Sequence, residues 1–157
     1  MNKIIFTFTI FLILIGFGNY SFALTEDPVV VIETNFGNLV IELFPADAEQ
    51  HVVNFLSLNS GGLDGISFYD NTLFHRIIPG FMIQGGDPNT ISGESNTWGQ
   101  GGPDTKLDAE FNSIKHNRGI VSMARSADPN SAGSQFFIVH QDSNSLDGKY
   151  TAFGRGS

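Results

Sequence analysis

The chain has 157 residues, enough for one domain with a sizeable core and too few for two. Its 16 acidic and 8 basic residues give a net charge of −8, which argues against the basic stripe that a nucleic-acid surface needs. The absence of cysteine excludes disulfides, thiolate chemistry and cysteine-zinc sites, and 15 Phe with only 15% charged residues set the chain well apart from disordered sequences.

In chain order, residues 1–23 read as a signal peptide. Lys3 and the amino terminus supply a positive start, and Ile4 to Ile15 form an apolar run. The run is shorter than the ~20 residues that span a bilayer. Ser21-Phe22-Ala23 then places small residues two apart, which predicts cleavage after Ala23. The expectation is an exported domain of residues 24–157, secreted, periplasmic or at the cell surface, and membrane-tethered only if the segment stays uncleaved.

Val29 to Ile32 and Leu39 to Leu43 flank Asn35-Phe36-Gly37-Asn38, the pattern of a β-hairpin. Asp47 and Gln50 stand at capping-box spacing, and Val52, Phe55 and Leu56 fall at helical spacing before Gly61-Gly62, which predicts a helix over 47–59. Short aromatic or β-branched runs then predict strands at 72–78, 81–84, 119–123, 135–139 and 150–153. Residues 87–107, rich in Gly, Ser, Asn and Thr around Trp98, fit no period and read as a structureless surface loop bordering a binding site. Many short strands and one amphipathic helix predict a mainly β fold, a closed barrel or a sandwich with the helix plugging it.

Three segments carry the chemistry: FHRIIPGFMIQGGD (74–87), GIVSMARSADPNSAGSQFFI (119–138) and SLDGKYTAFG (145–154). In this order they resemble the cyclophilin family of peptidyl-prolyl cis-trans isomerases, from about Val29 to Gly154. The resemblance implies an antiparallel β-barrel capped by helices, one face of which binds extended proline-containing peptides. It further implies that Arg76 is the catalytic arginine, that Phe81, Met82, Phe137 and Leu146 hold the proline ring, and that Gln84 and Gln135 flank the arginine. Ala124 and Arg125 match the segment that hydrogen-bonds the substrate backbone.

The sequence departs from the family pattern at Ser145, where many members have tryptophan, and at Tyr150, where many have histidine, in the same substrate-binding segment. Met123-Ala124-Arg125 is similar to the prokaryotic branch. The family domain continues beyond the FG of 153–154 with another strand, a second helix and a closing strand, so the expectation is a barrel lacking its last elements, with doubtful activity in that form and a monomer when complete.

The arginine suits such a reaction physically. Peptide planarity rests on resonance between nitrogen and carbonyl, with a barrier of ~18–20 kcal/mol. A charged, fork-shaped donor aimed at the prolyl nitrogen bonds the twisted state better than the planar one. No covalent bond breaks, so no metal or cofactor is expected. His75, His116 and His140 are candidates for a cupin-like metal site, but the closely paired histidines with a nearby acid that such sites use are missing. A non-catalytic proline-peptide-binding module using the same groove is the rival reading. Arg76 favours the enzyme, because a pure binder has no use for a cation beside the prolyl nitrogen. The partners expected are unfolded or extended proline-containing polypeptides, with no nucleic acid and no stable membrane span after cleavage.

Overall fold

The structure, a computed structural model, describes residues 27–61 and 66–157, so the expectation for residues 1–23 lies outside the described residues. Strands β1 (Val29–Thr34) and β2 (Gly37–Leu43) form the expected hairpin, paired from Val29↔Glu42 to Thr34↔Gly37. The loop is tighter than the sequence suggests, only Asn35-Phe36. Thr34 closes it, its hydroxyl accepting from the Phe36 N–H at 3.1 Å and donating to the Gly37 carbonyl at 2.7 Å.

Helix α1 (Glu49–Asn59) follows, starting later than predicted. The capping box at Asp47 and Gln50 does not form: Ala48 is the N-cap, with no side-chain cap bond. Glu110 takes that role from far along the chain. Its carboxylate accepts from the Gln50 N–H at 3.0 Å and the His51 N–H at 2.9 Å, satisfying two N–H groups that a helix start leaves free. A negative charge there also suits the positive end of the helix dipole.

Next come β3 (Arg76–Ile78), β4 (Met82–Gly85), a short α2 (Asn89–Ser92), β5 (Ile120–Met123), β6 (Phe136–Val139) and β7 (Ala152–Gly156). The strand expected over 72–78 is only its last three residues. Upstream, the Thr72 hydroxyl donates to the Tyr69 carbonyl and the Leu73 N–H donates to the Thr90 hydroxyl, which draws the backbone out of the ladder. Residues 87–107 are not structureless: α2 and a 3-10 turn at Ser95–Thr97 lie within them, and the Trp98 indole anchors the loop by donating to the Gly93 carbonyl at 3.1 Å.

All seven strands belong to one antiparallel sheet in the order β1-β2-β7-β5-β6-β4-β3. The mainly β, barrel-like antiparallel fold is as expected, and among the described residues its ladder stays open: β1 and β3 are its two ends, and the sheet is a half-barrel. Both faces are nevertheless apolar. The inner one packs Val30, Ile41, Leu43, Val121, Met123, Phe136 and Phe153 against Val52 and Phe55 of α1. The outer one gathers Met82, Ile120, Phe137, Val139 and Ala152 under Phe44, Phe81, Leu146 and Tyr150.

Candidate active site

Strand register builds the site. Arg76 pairs with Gln84, Gln84 with Phe137, Phe137 with Ser122 and Ser122 with Ala152, a row running across five strands on the outer face. Met82, two residues before Gln84, pairs with Ile78 and Val139 and so faces the same way. Phe81 would face away on a straight strand. It instead lies before β4, in a turn where Pro79 sits ahead of Gly80 at φ 73°, the pattern of a type II turn, closed by the Phe81 N–H on the Ile78 carbonyl at 3.0 Å. That turn returns Phe81 to the cluster holding Met82 and Phe137.

Arg76 itself is exposed, and none of the salt bridges among the described residues involves it. A string of amides anchors it instead. Arg76 Nη1 donates to Gln84 Oε1 at 3.3 Å, Gln84 Nε2 donates to Gln135 Oε1 at 3.0 Å, and Gln135 Nε2 donates to the Gly101 carbonyl at 2.8 Å. The guanidinium is oriented without being neutralised.

Phe137 is 5% exposed and held from two sides. The His116 ring stacks on it at 6.2 Å between centroids, and Tyr150 meets it edge-on at 5.5 Å. His116 is buried, its Nδ1 3.1 Å from Asp147 Oδ1 and its Nε2 3.1 Å from the Ser122 hydroxyl, which donates to the Thr151 carbonyl at 2.7 Å. The His116 N–H, first among several donors, holds the Asp147 carboxyl well below the usual carboxylate range; the His116 ring, Lys115 and Asn144 add to this against an opposing desolvation. Leu146, on a 3-10 turn at Asn144–Leu146, joins the same apolar cluster beside Tyr150.

Ala124 and Arg125 follow directly on β5, and Ala124 packs against the same apolar cluster. The Ala124 N–H donates to the Gln135 carbonyl at 2.8 Å, so that donor is occupied. The Arg125 guanidinium donates to the Lys149 and Ser126 carbonyls and lies 4.6 Å from the Tyr150 ring centroid, where it braces the pocket wall.

Sequence reasoning left His116, Ser122 and Asp147 without a place in this site, and only the His116 stack on Phe137 and the bonds joining His116 to Ser122 and Asp147 show that they belong to it. No three of His, Asp or Glu gather to hold a metal among the described residues. A cavity of about 400 Å³ lies elsewhere, lined by Phe44, Ile114 and Ile120 with Lys115, Arg118 and Arg155, and includes none of the predicted site residues. The Arg76 site is an open face.

Residues 29–155 match the family described as cyclophilin type peptidyl-prolyl cis-trans isomerase. The peptidyl-prolyl cis-trans isomerase-like 1 of Gibberella zeae is 45% identical over 129 residues, covering 80% of this chain and 73% of that protein. A peptidyl-prolyl cis-trans isomerase of Synechococcus elongatus is 42% identical over 125 residues, 80% of this chain and 77% of its own. Among solved structures, a cyclophilin-type isomerase of Cryptosporidium parvum, crystallised in the presence of the dipeptide Ala-Pro, superposes with a TM-score of 0.71 at 39% identity, over 83% of this chain and 78% of that one.

Proposed function

This chain belongs to the cyclophilin-type peptidyl-prolyl cis-trans isomerase family, and from that premise we propose that Arg76 accelerates rotation about X–Pro bonds by donating to the prolyl nitrogen. In the planar amide that nitrogen's electron pair is delocalised and accepts poorly. In the twisted state the pair is localised, and a guanidinium N–H meets a real acceptor. The bond is therefore stronger in the transition state than in the substrate, which is what speeds the step. An acceleration of about 10⁵ requires ~7 kcal/mol, within reach of one charge-assisted hydrogen bond combined with binding strain.

The observation that carries this reading is the anchoring of Arg76. A structural arginine beside apolar surface is ordinarily paired with a carboxylate. Here an amide oxygen of Gln84 orients it, and its charge stays available to a ligand. The apolar cluster of Phe81, Met82, Phe137 and Leu146 suits a proline ring, which offers no donor and must be recognised by shape.

An open face rather than an enclosed cavity suits unfolded or extended chains as substrates, and the Ala-Pro dipeptide used with the Cryptosporidium protein supports proline peptides as the ligand class. Work outside the cytoplasm is part of the same reading and rests on the Ile4 to Ile15 run and the Ser21-Phe22-Ala23 site. Amino-terminal sequencing of the exported protein is expected to begin at Leu24; an intact Met1 in the membrane fraction rejects it.

The decisive measurement is protease-coupled cleavage of a proline peptide. Arg76→Ala is expected to lower kcat/KM by about 10²–10³ with an unchanged melting temperature. Activity within about threefold of the native protein, ~0.7 kcal/mol, rejects the assigned role.

A further inference from the structure

The amide string at Arg76 has a direction, and that direction is set from outside the sheet. The Gly101 carbonyl can only accept, so Gln135 must turn its Nε2 toward it, at 2.8 Å. That leaves Gln135 Oε1 to accept from Gln84 Nε2 at 3.0 Å, and Gln84 Oε1 to face Arg76 Nη1 at 3.3 Å. A side-chain amide has no intrinsic preference between its two ends. With either glutamine reversed, the guanidinium would face an NH₂ group. One backbone carbonyl thus decides whether the arginine meets an acceptor.

Asp87 is what keeps that carbonyl in place. The residue is fully buried. Its Oδ1 accepts from the Asn89 N–H at 2.8 Å, and its Oδ2 accepts from the N–H groups of Gly99 and of Gly101, the latter at 3.3 Å. Asn89 then ties the loop further by donating to the Thr97 carbonyl at 3.0 Å. The fit leaves no room at position 101, where a Cβ would stand 2.2 Å from Asp87 Oδ1. Asp87 also follows closely on β4, the strand that carries Gln84. The segment that presents one glutamine therefore also carries the carboxylate that folds the loop back onto the other.

We propose that Asp87 is a positioning residue for the isomerase reaction: by clamping the loop at Gly99 and Gly101, it fixes the polarity of the Gln135–Gln84 pair and with it the aim of Arg76. The proposal rests on the reading of Arg76 as the catalytic group. Asp87 touches no substrate and acts through four links.

Asp87→Asn replaces one carboxylate oxygen with a donor that faces N–H groups, so part of the clamp is lost. The expected result is a fall in kcat of about ten- to a hundredfold, the scale of a misaimed catalytic group, with KM within about twofold because Phe81, Met82 and Phe137 are untouched. Gln135→Leu cuts the link between Gly101 and Gln84. In that background Asp87→Asn is expected to change kcat no further, whereas a purely structural role gives the same fold loss in both backgrounds and overturns the proposal. Arg76→Ala measured alongside separates the two ideas. Retained activity there refutes the catalytic reading, while an inactive Arg76→Ala with native kcat in Asp87→Asn refutes only the positioning role. A variant that fails to fold does not end the test. In the native protein, NMR is expected to show scalar coupling across the hydrogen bond from the Gln135 side-chain nitrogen to the Gly101 carbonyl carbon, and its absence overturns the proposal.

Discussion

Phe136 and Phe137 are neighbours in the chain and belong to different worlds. Phe136 points to the inner face, edge-on to Phe55 at 5.5 Å and Tyr69 at 5.8 Å, in a core closed by α1. Phe137 points to the outer face, between His116 and Tyr150, on the surface that carries Arg76. Antiparallel sheets commonly bury one face and wet the other. Here β5 is buried at all four positions and β6 at three of four, so both faces are dry along these strands. The difference lies in what covers them. A helix seals the inner face with aliphatic and aromatic groups. Loop residues cover the outer one and bring buried polar groups with them, His116 and Thr151, which meet the buried Ser122 of β5. The outer face is built as a second core that keeps one polar, open edge.

Truncation should break the two faces differently. Phe55→Ala removes the ring that meets Tyr69, Phe136 and Phe153, and is expected to cost about 3–5 kcal/mol of stability by urea denaturation, with kcat/KM of the remaining folded protein near native. Such a loss is a large part of a typical net stability of ~5–15 kcal/mol. Phe137→Ala should cost less stability and far more kcat/KM. Equal profiles for the two variants would erase the distinction between core and pocket.

A smaller effect is expected at Arg125. Its guanidinium over the Tyr150 ring braces the wall against which Phe137 rests. Arg125→Ala should weaken proline-peptide binding by about 0.5–1 kcal/mol, the scale of an exposed cation–π contact, and leave kcat nearly unchanged. A large kcat loss instead would mean that Arg125 meets the reacting bond.

The smallest effects are matters of pH, and they occur on both faces. Partial burial raises Glu110, but the His51 side chain and the Gln50 and His51 N–H groups outweigh it and hold the carboxyl low at the start of α1. Asp147, also held low, bonds the His116 ring that stacks on Phe137. For a carboxyl whose folded pKa is depressed, the stabilisation is complete above its ordinary pKa and disappears as pH falls through the folded value. Acidification below about pH 4.5, the ordinary value for Glu110, is therefore expected to loosen the helix start, and further acidification the pocket floor. Stability–pH curves should flatten on this acid limb in Glu110→Gln and Asp147→Asn, and unchanged curves would dissociate the carboxylates from either face.

Much of the molecule was legible from local signals. With Phe137 given to the pocket by the family resemblance, alternation leaves Phe136 for the core, because in a strand neighbouring side chains must point to opposite faces. The Pro79-Gly80 pair announced the turn that returns Phe81 to the cluster, since glycine adopts a positive φ without strain. The capping box at Asp47 and Gln50 was misleading for an equally physical reason. Any acceptor of the right charge can satisfy a helix start, and Glu110 does so from a segment brought close only by the fold.

What the sequence determined by itself was the mainly β character and, through three short motifs, the family, because each strand signal and each motif consists of residues close together in the chain. The tertiary structure decided which groups complete the site. The Gln84–Gln135 bond joins residues 51 positions apart, and the Gln135 bond to the Gly101 carbonyl joins residues 34 apart. Hydrogen-bond partners at such distances are selected by strand register and by the path of a clamped loop. Neither leaves a periodic trace in the sequence, because the energy that selects them appears only when the strands are already paired.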